Sequence, residues 1–154
     1  MYIIEDTGQK LGQHALKNTW FTENGIQVVR SKLPYGDYAL PPRIAVDTKR
    51  NMEEIAGNIC GSRGEHSRFK KECIRARECG AKLYFLVENL CGIECLEDVH
   101  TWINPRCIYD PKCVQGERLE KAMKTMQERY GCEFLFCRPE ESGGIIKRLL
   151  AGGD

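Results

Sequence analysis

Leu33-Pro34-Tyr35-Gly36-Asp37-Tyr38, a short gap, and then Ile44-Ala45-Val46-Asp47-Thr48-Lys49 decide how this chain is read. Pro34-Tyr35-Gly36-Asp37 is a turn signal, and the second hexapeptide has the apolar, β-branched character of a strand. Together they predict a hairpin whose return strand runs from Arg43 to Lys49, with Pro41-Pro42 confining the connection. Side chains alternate along a strand, so Asp47 and Lys49 project together while Ile44, Val46 and Thr48 project the other way. One face can enter a core. The other carries a carboxylate and an ammonium, which are costly to bury unless a metal ion or substrate fills the space between them.

Working outward, Tyr2-Ile3-Ile4-Glu5-Asp6 reads as a strand and His14 to Trp20 as a helix closed by Asn24-Gly25. Gln27 to Arg30 is a second strand. Met52, Ile55, Ala56, Ile59 and Cys60 recur at helical spacing, and Ser62 with Glu65 matches a capping box opening the next helix, which stops at Gly80. That helix would turn Phe69, Cys73 and Ala76 inward. Lys82 to Glu88 is apolar on both faces, as a central strand must be. Leu96 to Ile103 suggests a short helix and Asn104 to Pro111 an irregular loop. Leu119, Ala122, Met123, Met126 and Tyr130 mark a further helix, Glu133 to Cys137 a last strand, and Ile145, Ile146, Leu149 and Leu150 a closing helix. The order predicts one α/β domain over residues 1–154, with a mixed central sheet flanked by helices.

The 154 residues suit one domain with a real core, and a formal net charge of +1 neither demands nor excludes a polyanionic partner. No apolar run approaches the ~18–20 residues that cross a bilayer. The opening residues lack the basic start and apolar stretch of a signal peptide, so the expected location is cytoplasmic, or nuclear in a host with a nucleus. Nine cysteines in such a compartment are expected to be thiols rather than a disulfide framework. Cys60, Cys73 and Cys137 read as small buried hydrophobes. Cys91, Cys95, Cys107 and Cys113, with His100 between the pairs, admit a zinc-stapled interaction module, but their spacings miss the tight pairing of such sites.

Hard carboxylate oxygens suit Mg²⁺ or Mn²⁺, which bind through few acids and retain waters for a phosphate substrate to displace. Asp37 and Asp47 are the natural ligand pair, with the backbone carbonyl of Thr48 as a third oxygen. Lys49 can orient an attacking water or neutralise charge growing on a phosphate. Asp6 ends the first strand at the same edge, and Glu53 or Glu54 at the next helix start is a further candidate acid. Each signal has an ordinary reading too. An Asp after Gly is usually a turn former, Asp-x-Lys on a strand is usually a solvated face, and Asp6 alone is a loop-capping acid. Their order and placement on consecutive strand ends favour the site.

The chain resembles the XPF-type nuclease domain, a branch of the PD-(D/E)xK superfamily with a restriction-endonuclease-like core. The family outline reads I-x-D-T-R-E, then L-P-x-G-D-Y, then V-E-R-K before an acidic-Leu-Ala helix start, and later an apolar strand ending in Glu. Here these are Ile4-Glu5-Asp6-Thr7-Gly8-Gln9, Leu33 to Tyr38, Val46-Asp47-Thr48-Lys49, Glu54-Ile55-Ala56 and Phe85-Leu86-Val87-Glu88. Asp47 replaces Glu, Thr48 replaces Arg, and Gly8-Gln9 replaces Arg-Glu. The resemblance implies metal binding by Asp6, Asp37 and Asp47 with Lys49 as catalytic lysine. It implies a divalent-metal-dependent DNA endonuclease acting at flap, junction or otherwise branched DNA, in repair or recombination. The rival is a noncatalytic DNA-binding or scaffold protein that keeps the fold. Residues 98–113 look like an insertion. No residues remain for the helix-hairpin-helix domain of related enzymes, so a homodimer or a partner protein is expected, with the closing helix as a candidate surface.

Arg63, Arg68, Lys70, Lys71, Arg75 and Arg77 crowd one predicted helix. Arg68, Lys71 and Arg75 share a face at i, i+3 and i+7, where they can track DNA phosphates without reading sequence. Arg63 and, beside Lys49, Arg50 join them as candidates. The ordinary alternative is a solvated helix face.

Overall fold

The computed structural model describes residues 2–40 and 44–152. Strands β1 (Tyr2–Asp6), β2 (Gln27–Ser31), β3 (Tyr38–Leu40), β4 (Ile44–Lys49), β5 (Lys82–Glu88) and β6 (Glu133–Cys137) form one sheet in the order β2-β1-β3-β4-β5-β6. β1–β2, β4–β5 and β5–β6 are parallel, whereas β1–β3 and β3–β4 are antiparallel. The predicted mixed α/β sheet is therefore the observed one. Pro41, Pro42 and Arg43, which the hairpin reading placed in the connection and at the start of the return strand, lie outside the described residues.

Helices α2 (Met52–Cys60), α3 (Arg63–Glu78) and α4 (Gly116–Tyr130) cover one face of the sheet, and α1 (Ala15–Glu23) and α5 (Ser142–Leu150) cover the other. Alternation on β5 explains the double cover: Leu83, Phe85 and Val87 enter the first layer and Leu86 the second. Phe85 stacks between Phe69 and Phe134, with ring centroids 4.3 and 5.3 Å away. In the second layer Phe21 meets Tyr38 edge-on, with Ile146 and Leu150 fully or nearly buried beside them. Gly143 brings α5 against the Trp20 ring; a Cβ there would lie 3.0 Å from it.

Local signals set the helix starts. Asn51 accepts the Glu54 amide at 2.8 Å, and Ser62 with Glu65 forms the expected reciprocal cap on α3. The stretch read as a short helix is a 3-10 turn, Leu96–Thr101, and the expected loop contains another, Pro105–Ile108. The first packs on α4 through Val99 and Trp102, both buried. Gly116 opens α4 so tightly under it that a Cβ would stand 2.2 Å from the Val99 carbonyl.

The expectation of thiols throughout fails at one pair: Cys107 and Cys113 are disulfide-bonded, with Cα atoms 5.3 Å apart. Successive turns closed by Asp110 N–H to the Arg106 carbonyl and Cys113 N–H to the Asp110 carbonyl fold the loop back and bring them within bonding reach. Cys73 and Cys137 are buried as expected, but Cys60 is only half-buried, while Cys91 and Cys95 are free and exposed. Among the described residues no three His, Cys, Asp or Glu side chains are gathered as a metal cage, and no helix is long and apolar enough to cross a membrane.

Candidate active site

At the C-terminal end of β4 the chain opens into a cleft of about 490 Å³, lined by Asp37, Asp47, Lys49 and Glu72 among others. Asp37 is fixed through its backbone before its side chain acts. Its N–H donates to the Val46 carbonyl at 2.9 Å, and its carbonyl accepts the Asp6 N–H at 2.8 Å, so the turn is tied to β4 and β1 together. Gly36, with φ of +70°, makes that turn, and a Cβ there would come within 3.1 Å of Ala45. Asp37 Oδ2 accepts both the Thr48 N–H and the Thr48 hydroxyl at 2.8 Å, and Gln9 Nε2 donates to Oδ1.

Alternation along β4 sends Asp47 and Lys49 to the α2–α3 side and Thr48 to the other, as the sequence pattern requires. Both faces are covered, however, so Asp47 and Lys49 are only 6% and 9% exposed. Lys49 Nζ lies 2.5 Å from Asp47 Oδ1 and within 6 Å of the Phe69 and Phe85 rings, at 5.8 and 5.7 Å. Among the described residues, buried Asp47 Oδ1 has no partner beyond that ammonium.

Sequence reasoning missed Glu72. Its carboxylate enters the cleft from α3 and accepts the Gly36 N–H at 2.7 Å. The signal was present: Glu72 falls on the same helical stripe as Phe69 and Ala76, one turn from each. Burial pushes Glu72 up to about 7, and the neighbouring Asp47 charge adds to it. Asp47 is likewise raised to about 7 by burial, with Lys49 opposing and Asp37 reinforcing. Burial raises Asp37 too, against the Thr48 hydrogen bonds and Lys49. Burial alone would lower the Lys49 pKa, but Asp47 outweighs it and holds the ammonium charged.

Two buried carboxylates, Asp37 and Asp47, and the half-buried Glu72 therefore gather around the buried Lys49 ammonium, a grouping that favours an added cation. A hard divalent ion fits it: Asp37 and Asp47 supply oxygens, one of them buried with no partner beyond the Lys49 ammonium among the described residues, and such ions need only one or two acids.

Other candidates sit differently. Asp6 lines the cleft, yet its oxygens accept the Gly8 N–H at 3.0 Å and the Leu33 N–H at 2.8 Å, the work of a loop-capping acid. Glu54 accepts the Arg50 N–H at 3.0 Å and lies 3.5 Å from its guanidinium, while Glu53 lines a separate groove. Arg68, Lys71 and Arg75 line the cleft wall on α3; Arg50 and Arg63 do not.

The ERCC4 domain family model matches residues 5–149. The structure of XPF from Aeropyrum pernix aligns over 97% of this chain and 63% of its own, with a TM-score of 0.67 at 19% identity. XPF from Aeropyrum pernix in complex with DNA aligns over the same shares, with a TM-score of 0.69 at 20% identity. These likenesses show a common fold, and the present chain spans 63% of either structure. No curated protein matches the chain.

Proposed function

Since the chain belongs to the ERCC4 domain family and has the fold of the XPF nuclease domain, we propose that it is a divalent-metal-dependent DNA endonuclease acting at branched, flap or junction DNA. The observation that carries this reading is the buried meeting of Asp37, Asp47 and Lys49 in a cleft whose wall bears Arg68, Lys71 and Arg75. Asp37, Asp47 and the Thr48 backbone carbonyl would hold Mg²⁺ or Mn²⁺. Bound there, the ion supplies Lewis acidity to the scissile phosphate and lowers the pKa of a water.

The protein's own part is positioning and charge. Arg68, Lys71 and Arg75 engage the DNA backbone and set the phosphate over the acids. Lys49, kept charged by Asp47, orients the attacking water and stabilises negative charge growing on the phosphate. Glu72 holds the Gly36–Asp37 turn. Asp6 shapes the loop at the cleft edge and, lining the same cleft, is a further candidate ligand.

A homodimer or partner protein enlarges the DNA footprint. Of the apolar residues on the closing helix, Ile145 and Leu149 are half-buried and remain partly exposed for such a contact, whereas Ile146 and Leu150 are spent in the core.

The test is a panel of labelled flap, fork, four-way and linear DNAs with Mg²⁺ or Mn²⁺. Cleavage confined to branched substrates and abolished by EDTA supports the reading. Binding without cleavage under every metal condition would favour the noncatalytic rival instead.

A further inference from the structure

Behind the cleft, on the opposite face of the sheet, lies a buried polar cluster that the reaction chemistry leaves unused. Its hub is Glu5, 5% exposed. Glu5 Oε1 accepts Asn18 Nδ2 at 3.1 Å and the Tyr38 hydroxyl at 3.3 Å, and lies 3.6 Å from His14 Nδ1. Its Oε2 lies 3.2 Å from Arg30 Nε.

Two contacts converge on the Asp37 carboxylate, and the first is tied back to this hub. In the first, the Arg30 guanidinium also donates to the Gln9 carbonyl at 2.5 Å, and Gln9 Nε2 donates to Asp37 Oδ1. In the second, His14 Nε2 lies 3.4 Å from Thr48 Oγ1, which donates to Asp37 Oδ2 at 2.8 Å. Since the hydroxyl proton goes to Asp37, a neutral imidazole would donate through Nε2, which leaves its buried Nδ1 without a hydrogen-bond partner among the described residues.

Gln9 and Thr48 are also two of the positions where this chain departs from the family outline. Both departures replace charged residues with neutral donors, and both donors reach Asp37. A carboxylate held on each oxygen has one orientation left to offer a cation, which is how outer partners fix metal ligands.

We infer that Gln9, anchored through Arg30 to Glu5, and Thr48 are positioning residues that lock Asp37 in the orientation needed to bind the divalent ion. The inference rests on the metal-dependent reading above. Neither residue touches the reacting atoms with its side chain; each acts through Asp37.

The experiment is isothermal titration calorimetry of Mn²⁺ into the folded protein without DNA, alongside thermal melting. Gln9→Ala and Thr48→Val should each weaken Mn²⁺ binding about tenfold, the usual scale for an outer partner of a metal ligand, with little change in melting. Thr48→Ser, which keeps the hydroxyl, should restore binding, and Glu5→Gln should weaken it although it lies outside the cleft. Gln9 sits on a half-buried loop, so its variant decides the matter even if the buried substitutions fail to fold. If Asp37→Ala abolishes Mn²⁺ binding while Gln9→Ala and Thr48→Val bind as the wild type does, the positioning role is overturned and the metal site stands. If the wild type binds no Mn²⁺, or Asp37→Ala binds it unchanged, the metal reading fails and the inference falls with it.

Discussion

A single backbone torsion decides whether Asp37 reaches its place. Gly36 holds φ at +70° directly before it, against the Ala45 side chain on one side and Glu72 on the other. Gly36→Ala should cost about 1 kcal/mol or more from the torsion alone, and it should weaken divalent-ion binding by displacing the turn. Denaturant unfolding together with Mn²⁺ titration checks both; unchanged values would remove the strained turn from the account. At this scale the sequence was most legible where chemistry is local to a strand, as with Asp47 and Lys49. It was least legible at Asp6 and Glu54. That Asp6 caps the Gly8 and Leu33 amides while lining the cleft, and that Glu54 caps the Arg50 amide, depends on loop paths that residue type does not specify.

Helix α3 unites three tasks on one element. Phe69, Cys73 and Ala76 bury it, Glu72 ties it to the Gly36–Asp37 turn, and Arg68, Lys71 and Arg75 line the cleft. If the basic stripe follows phosphates, Arg75→Ala should weaken DNA binding about equally for unrelated sequences and lower the salt-dependence slope by about one. Fluorescence anisotropy across a salt series measures this, and an unchanged slope would assign Arg75 to a solvated face. The helix was readable from its cap and periodicity. Glu72 escaped because an acid on an apolar stripe looks like an interruption until a cleft is known to lie over it. The Cys107–Cys113 bridge was unreadable for a related reason: its spacing is ordinary, and only the turns between the two cysteines bring them together.

Across the whole molecule, the sheet buries charge on both faces, and the charge within the cleft makes stability depend on pH. Asp47 and Glu72 are pushed up to about 7, above the roughly 4 of carboxyls in an unfolded chain. Between those values the folded protein binds more protons than the unfolded one, so this contribution is present at low pH and lost as pH rises through about 7. Melting temperature in EDTA should therefore fall over that window, less so in Glu72→Gln, and saturating Mn²⁺ should flatten the decline by favouring the ionised acids. A wild-type profile in EDTA indistinguishable from that of Glu72→Gln would contradict this. The mixed sheet was legible because a turn, a two-faced apolar strand and helical periodicities each pointed to it, whereas the polar network behind the site emerges only when β1, α1 and β4 are packed. The central claim is that Asp37, Asp47 and Lys49 act together on a phosphodiester bond. The most direct measurement is nicking of a labelled branched DNA with Mg²⁺ or EDTA by wild type, Asp47→Asn and Lys49→Met. Cutting by the wild type should depend on Mg²⁺ and fall about 100-fold or more in each folded variant, whereas equal cutting by all three proteins would show that these residues do not perform the reaction.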